Sequence, residues 1–364
     1  MRPCSILSSL VLLGLCHLHA AETRRLLYVA APGIRNYLNH GGHGVLVFDR
    51  DHDHQFVKRI KAGGLGKDGK PLNVKGICAS SATRRLYVGT TETLTCFDLQ
   101  TDAILWEKAY EGGCDRMSVT PDGSKLFTPS FEKDFWHVID GGAGEVIARV
   151  PSEKHAHNTV VGIDGKEAYL ADRGSRLIEV VDTTTNQITR KLGPFGNVVR
   201  PFTVNGNSTR LYANVDALLG FEIADIKTGA ILHRLAVPGF QMGPVQRHGC
   251  PSHGIGLTPD ETEVWVTDGS NKRLHVYDNT VTPPVYRQSI ELRDEPGWIT
   301  FSLDGQIAYP STGDVVDVAS RKIIATLKDE TGAEVQSEKV IEVQFDAGGK
   351  VSATGDQFGL GRVR

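Results

Sequence analysis

The sequence predicts an all-β fold, a seven-bladed β-propeller of four-stranded blades. Three observations carry this. A similar phrase recurs six times at intervals of about 40 residues, the period of a four-stranded propeller blade. Each copy runs from an apolar stretch through an Asp-Gly type turn to an apolar pair, then to an apolar strand ending in Asp. The clearest copies are 117–127 (MSVTPDGSKLF), 255–265 (IGLTPDETEVW) and 299–309 (ITFSLDGQIAY). Finally, the chain opens on a second-strand pattern and lacks the first strand of that unit until near its end.

The repeats divide the chain in order. Blade 2 covers 74–113, blade 3 covers 114–154 and blade 4 covers 155–196. Blade 5 covers 197–239, blade 6 covers 250–295 and blade 7 covers 296–336. Third strands read clearly at 94–98 (LTCFD), 135–140 (FWHVID), 177–182 (LIEVVD) and 274–278 (LHVYD). Their β-branched and aromatic residues suit strands packed face to face between blades. Blade 1 begins with 25–29 (RLLYV). Its inner strand is expected at 340–345 (VIEVQF), with nothing after it to complete a blade. The C-terminal strand therefore closes blade 1, which removes the open edges of the ring.

Residues 1–21 read as a secretory signal, with Arg2 as the positive end, an apolar stretch over 6–15 and small residues near Ala20. The apolar stretch is too short to span a bilayer. The expected organisation is a signal followed by one propeller domain over 22–364. The expected location is exported, periplasmic or extracellular. Cys78, Cys96, Cys114 and Cys250 remain beyond the signal. Their spacing shows no disulfide framework, so buried free thiols are expected. The formal charge is −3, from 40 basic and 43 acidic residues, which argues against nucleic acid as a partner. Haem-attachment, P-loop and dinucleotide-binding motifs are absent; Gly63-Gly64-Leu65-Gly66 lacks the strand-to-helix setting.

The motifs Leu86-Tyr87-Val88-Gly89-Thr90, Glu263-Val264-Trp265-Val266-Thr267, Asp122-Gly123, Asp164-Gly165 and Val180-Val181-Asp182-Thr183 resemble those of the YVTN family of bacterial propellers, related to the lactonase-like seven-bladed group. The resemblance covers nearly all of the chain beyond the signal. It implies the propeller fold. It leaves function open among sugar-lactone hydrolases, lyases and proteins without known chemistry.

Superposing the repeats isolates the positions that differ. At the start of the inner strand, Lys75, Asp115, His157, Arg200, His253 and Gly297 are equivalent. One residue later come Gly76, Arg116, Asn158, Pro201, Gly254 and Trp298, and the next position is mostly apolar. These positions surround the channel mouth, and they are polar in nearly every blade but differ in kind each time. Lys75, Arg116, Arg200 and Lys339 oppose Asp115. Such a basic mouth focuses potential onto anions, and arginine forks match carboxylates. Trp298 offers a face for a sugar or ring. The expected ligand is a small anionic molecule or carbohydrate acid, bound by Lys75, Asp115, Asn158 and Trp298.

Two long connections add histidines. The blade 1 insertion at 36–44 carries His40 and His43, and is expected to reach over the channel mouth. The segment 240–250 between blades 5 and 6 carries Gln241, Gln246, Arg247 and His248. With His155, His157 and His253, these put three histidine groups on one face. His43, His157 and His253 are the candidate ligands for a divalent metal such as Zn, Mn or Fe. Asp115 and Glu338 are the carboxylates nearby. His157 and His253 are candidate general bases. Arg116 and Arg200 would hold a carboxylate and stabilise an enolate-like or oxyanion state. Lyase and hydrolase chemistry both suit this set. The contrasting expectation is a non-catalytic scaffold that binds a ligand or a protein partner.

Overall fold

The computed structural model describes residues 23–61, 64–130 and 133–363. The expected signal at 1–21 lies outside these. Seven antiparallel sheets form the ring, one per blade, and the only helix among the described residues is a single 3-10 turn, Leu38–His40. No helix among them is long and apolar enough to cross a membrane.

The inner strands are Val340–Phe345 in blade 1, Val74–Ser80 in blade 2, Ser118–Val119 in blade 3 and Ala156–Val161 in blade 4. Val199–Val204, Ile255–Leu257 and Ile299–Phe301 follow in blades 5 to 7. Burial falls outward along each blade. Every residue of Ala156–Val161 is buried, whereas the outer strand Val146–Pro151 alternates and is mostly exposed. Apolar clusters fill the spaces between neighbouring blades, with Trp136, Trp265, Tyr28 and Tyr169 among the largest buried side chains. Cys78, Cys96, Cys114 and Cys250 are buried free thiols.

The recurrent Asp at the end of the third strand has a local cause. Asp98 Oδ1 accepts the backbone N–H groups of Gln100 and Thr101, at 2.8 and 2.9 Å. Asp182 and Asp225 accept Thr185 and Thr228 in the same way. The turn then closes from Asp102 N–H to Asp98 C=O, with Asp102 at a positive φ of 62°. Asn186 and Gly229 repeat this geometry. Each turn places a bulge in the pairing with the fourth strand. A short acidic side chain followed by a residue tolerant of the left-handed region is therefore what the hairpin selects.

Blade 1 closes as expected, since Val340–Phe345 pairs antiparallel with Arg24–Ala31. No further blade follows, but the chain continues beyond this strand. Val351–Thr354 adds a fifth strand on the inner side of Val340–Phe345. The chain then crosses the far end of the channel. The carbonyl of Gly359 accepts from Thr203 Oγ1 at 2.7 Å and from Leu257 N–H at 2.8 Å. Thr300 Oγ1 donates to Asp356 O, and Gln357 Oε1 accepts from Ile77 N–H. Gln357, Phe358 and Leu360 are buried. The tail thus bonds inner strands of blades 2, 5, 6 and 7 across one end of the ring.

Candidate functional site

The other end holds a cavity of about 370 Å³, lined by the starts of the inner strands. Lys75, Arg116, His157, Arg200 and His253 all face it. Asp115, Asn158 and Trp298 are buried one layer behind. Both amide atoms of Asn158 are buried with no hydrogen-bond partner among the described residues. The blade 1 insertion contributes differently from expectation. His40 and His43 do not line the cavity, whereas Ile34 and Arg35, which precede the insertion, do. The His43 carbonyl accepts from Arg59 Nη1 at 3.2 Å. His155 sits at the surface, 3.9 Å from Asp134.

Arg35, Lys75, Arg116, Arg173, Arg200, Arg247 and Lys339 surround the space, with Glu338 as the lining carboxylate. Sequence comparison between blades passes over Arg35 and Arg173, which stand on loops outside the repeat register. The rim cations are held by partners outside the cavity. Arg200 binds Asp216 through Nε at 2.5 Å and Nη2 at 3.2 Å. Arg247 binds Asp294 at 2.5 Å.

Two buried carboxylates organise the interior. Asp115 Oδ2 accepts from His157 Nδ1 at 2.5 Å. Its Oδ1 accepts from Arg116 Nη1 at 3.0 Å, with Lys75 Nζ 3.8 Å away. Burial opposes the Asp115 charge, but Lys75, Arg116 and the hydrogen bond from His157 outweigh it and hold the carboxyl well below its usual range. Burial pushes His157 down to about 4, against the pull of Asp115. His157 is therefore neutral at pH 7. With Nδ1 given to Asp115, Nε2 keeps its lone pair for the cavity.

Glu338 is the second centre. Its Oε2 accepts from Lys339 Nζ at 2.6 Å and from Arg116 Nη2 at 3.3 Å, and His248 Nδ1 lies 3.2 Å from Oε1. Burial opposes ionisation, yet Lys339, His248 and Arg116 keep the carboxyl well below its ordinary value. Burial lowers Lys339 to about 8. Arg116 bridges both carboxylates, and it and Lys339 lie over the Trp298 ring at 5.2 and 5.5 Å. Trp298 is thus a floor that carries two cations, not an open stacking face. Its Nε1 donates to the Gln357 carbonyl of the tail.

The expected metal set of His43, His157 and His253 is not brought together. Among the described residues, the group with converging donor atoms is His248, His253 and Glu338, all within 4.8 Å of one another. Gly297 explains how His248 enters. A Cβ at Gly297 would stand 2.0 Å from His248 Nε2 and 2.6 Å from Glu338 Oε1. Blade 7 therefore offers no side chain at the ring position, and His248 from the connection before blade 6 occupies that space. Gly297→Ala is expected to expel His248 and cost about 1–3 kcal/mol of stability, measurable as a lowered urea midpoint. An unchanged midpoint would show that the ring has another seat.

These features define a class: a seven-bladed propeller crossed at one end by its C-terminal tail, with a cationic cavity at the other. Neither a family model nor a curated protein matches the chain. Solved structures do. A chain of Kuenenia stuttgartiensis hydrazine synthase is similar with a TM-score of 0.60 and 12% identity, over 78% of this chain and 89% of that one. The Cps50 (Swd1) β-propeller domain of Myceliophteria thermophila is similar with a TM-score of 0.56 and 11% identity, over 76% and 87%. At such identities the likeness concerns the fold alone.

Proposed function

We propose that the cavity binds a small carboxylated compound, such as a sugar acid or the acid form of a lactone, and that His157 acts on it as general base. The observation carrying this reading is the 2.5 Å contact of His157 Nδ1 with Asp115 Oδ2, set within a ring of cations. A carboxylate held by Lys75 and Arg116 would bring its neighbouring C–H toward His157 Nε2. The imidazole takes the proton, and the electron pair moves toward the carboxylate as an enolate that the cations stabilise. Expulsion of a β-leaving group then forms the double bond of a lyase product. Asp115 stabilises the imidazolium formed. On the motifs above, we also place the chain with the exported YVTN-type, lactonase-like propellers; recovery of the full-length chain uncleaved in the cytoplasm would remove the export part.

A second reading, a non-catalytic binding scaffold, is favoured by one fact. Arg116, Arg200 and Arg247 already have carboxylate partners. The two readings separate in one experiment. Sugar acids, lactones and dicarboxylates are screened by thermal shift, where a ligand at about 100 times its Kd adds about 2.7 kcal/mol. Binders are then followed by NMR in D2O for exchange of the proton beside the carboxylate. Wild type should exchange it, and His157→Ala should bind without exchange. Binding without exchange in wild type selects the scaffold. No binder in the panel removes the carboxylate reading.

A further inference from the structure

We infer that His248, His253 and Glu338 form a binding site for one divalent first-row transition-metal ion in the wall of the cavity. The donor chemistry is two imidazoles and one carboxylate, which suits Zn, Fe(II) or Mn(II) over Ca or Mg. Four features of the structure support it. The three donor atoms already lie within 4.8 Å of one another. His253 Nδ1 lies 2.9 Å from the Gly297 carbonyl, so this nitrogen carries the hydrogen and Nε2 keeps the lone pair. Ligating histidines are characteristically fixed in this way. Arg116 and Lys339 grip Oε2 of Glu338, which orients the carboxylate and leaves Oε1 toward His248. Finally, His248 Nε2 is buried without a partner, and its side chain is 6% exposed.

The rings of His248 and His253 are stacked, with centroids 4.4 Å apart and planes 20° from parallel. Metal–ligand bonds of about 2.0–2.1 Å require donor separations of roughly 3.4 Å at tetrahedral angles. The chain supplies three donors, so further coordination positions remain for water or an anion from the cavity. The carboxylated ligand proposed above would meet the ion there, but the metal site does not rest on that reading, because bound metal is counted without any substrate.

The test uses the full chain, stripped with chelator and dialysed against Zn²⁺ or Co²⁺. Mass spectrometry of the elements should find one equivalent of metal per chain. The Co²⁺ form should show visible absorption of a site with nitrogen ligands. Glu338→Gln and His253→Ala should each lower the retained metal at least tenfold, whereas His157→Ala should retain it. Circular dichroism confirms that each variant is folded. Should His253→Ala not fold, Glu338→Gln alone decides. Wild type without stoichiometric metal, or Glu338→Gln with undiminished metal, overturns the site. Metal retained with no binder in the carboxylate screen leaves this site standing and removes only the earlier reading.

Discussion

Asp115→Asn is expected to destabilise the protein by about 3–5 kcal/mol and to abolish proton exchange without abolishing anion binding. Removal of one member of a buried charge cluster leaves its partners uncompensated, which sets that scale. Asp115 is 1% exposed and receives His157 and Arg116 directly. An Asn can accept from His157 only by turning its NH2 toward Arg116, where donor would face donor. The His157 tautomer is then no longer fixed, and loss of such an orienting carboxylate lowers catalysis by about 10⁴-fold in triad enzymes. Removing a negative charge beside the ring leaves anion affinity equal or greater. Asp216→Asn is the control. It breaks the partly exposed Arg200 pair at the rim and is expected to cost at most about 1 kcal/mol. Urea titration and NMR exchange read both quantities. Equal destabilisation by the two substitutions would contradict the central role of Asp115.

The same pair predicts acid lability with a defined sign. His157 titrates near 4 in the folded chain, below its ordinary value of about 6.5. Between these limits the unfolded chain binds the proton more readily, so stability falls as pH drops from about 6.5 to 4. The integrated contribution of His157 is at most about 3 kcal/mol. Asp115, depressed in the folded state, adds a loss that begins only near the ordinary carboxylate range. His157→Asn should flatten the upper part of this profile. A His157→Asn profile as steep as that of wild type between pH 6.5 and 4.5 would mean that His157 takes up its proton at the same pH folded and unfolded.

The ring was legible because the repeat supplies its own ruler. Lys75, Asp115, His157, Arg200 and His253 occupy one register position, and the structure places all except Asp115 on the cavity wall. Asp115 sits behind because His157 and Arg116 cover it, which register alone cannot show. Gly297 reads as an empty position in one blade. Its meaning depends on His248, which arrives from a different connection and carries no repeat pattern. Glu338 and Lys339 immediately precede Val340–Phe345, and so are the blade 1 members of the ring. Closure by the chain terminus moves them away from the other blade 1 strands in sequence. The tail after Val351–Thr354 has neither repeat nor periodicity. Only tertiary contacts define it.

That tail gives the second large effect. Truncation after Gly355 is expected to cost about 3–6 kcal/mol, since Phe358 and Leu360 are buried and each such side chain contributes about 1.5–3 kcal/mol. The hydrogen bonds that tie it to Thr203, Leu257 and Thr300 are lost as well. The consequence reaches the cavity through Trp298. Its Nε1 loses the Gln357 carbonyl and its ring loses Phe358, 6.1 Å away between centroids. Trp298 underlies Arg116 and Lys339, so both cations lose their floor. Truncation should therefore weaken anion binding at the opposite end of the ring as well as lower the melting temperature. Trp298 is one of four tryptophans, and its exposure should shift the emission maximum to the red. Trp298→Phe in the full chain separates the two roles. It keeps the tail's bonds to the other inner strands but removes the donor to Gln357, so it should retain most of the stability while reproducing part of the binding loss. Truncated protein that melts lower but binds anions with unchanged affinity would confine the tail to bonding the inner strands and exclude its control of the site.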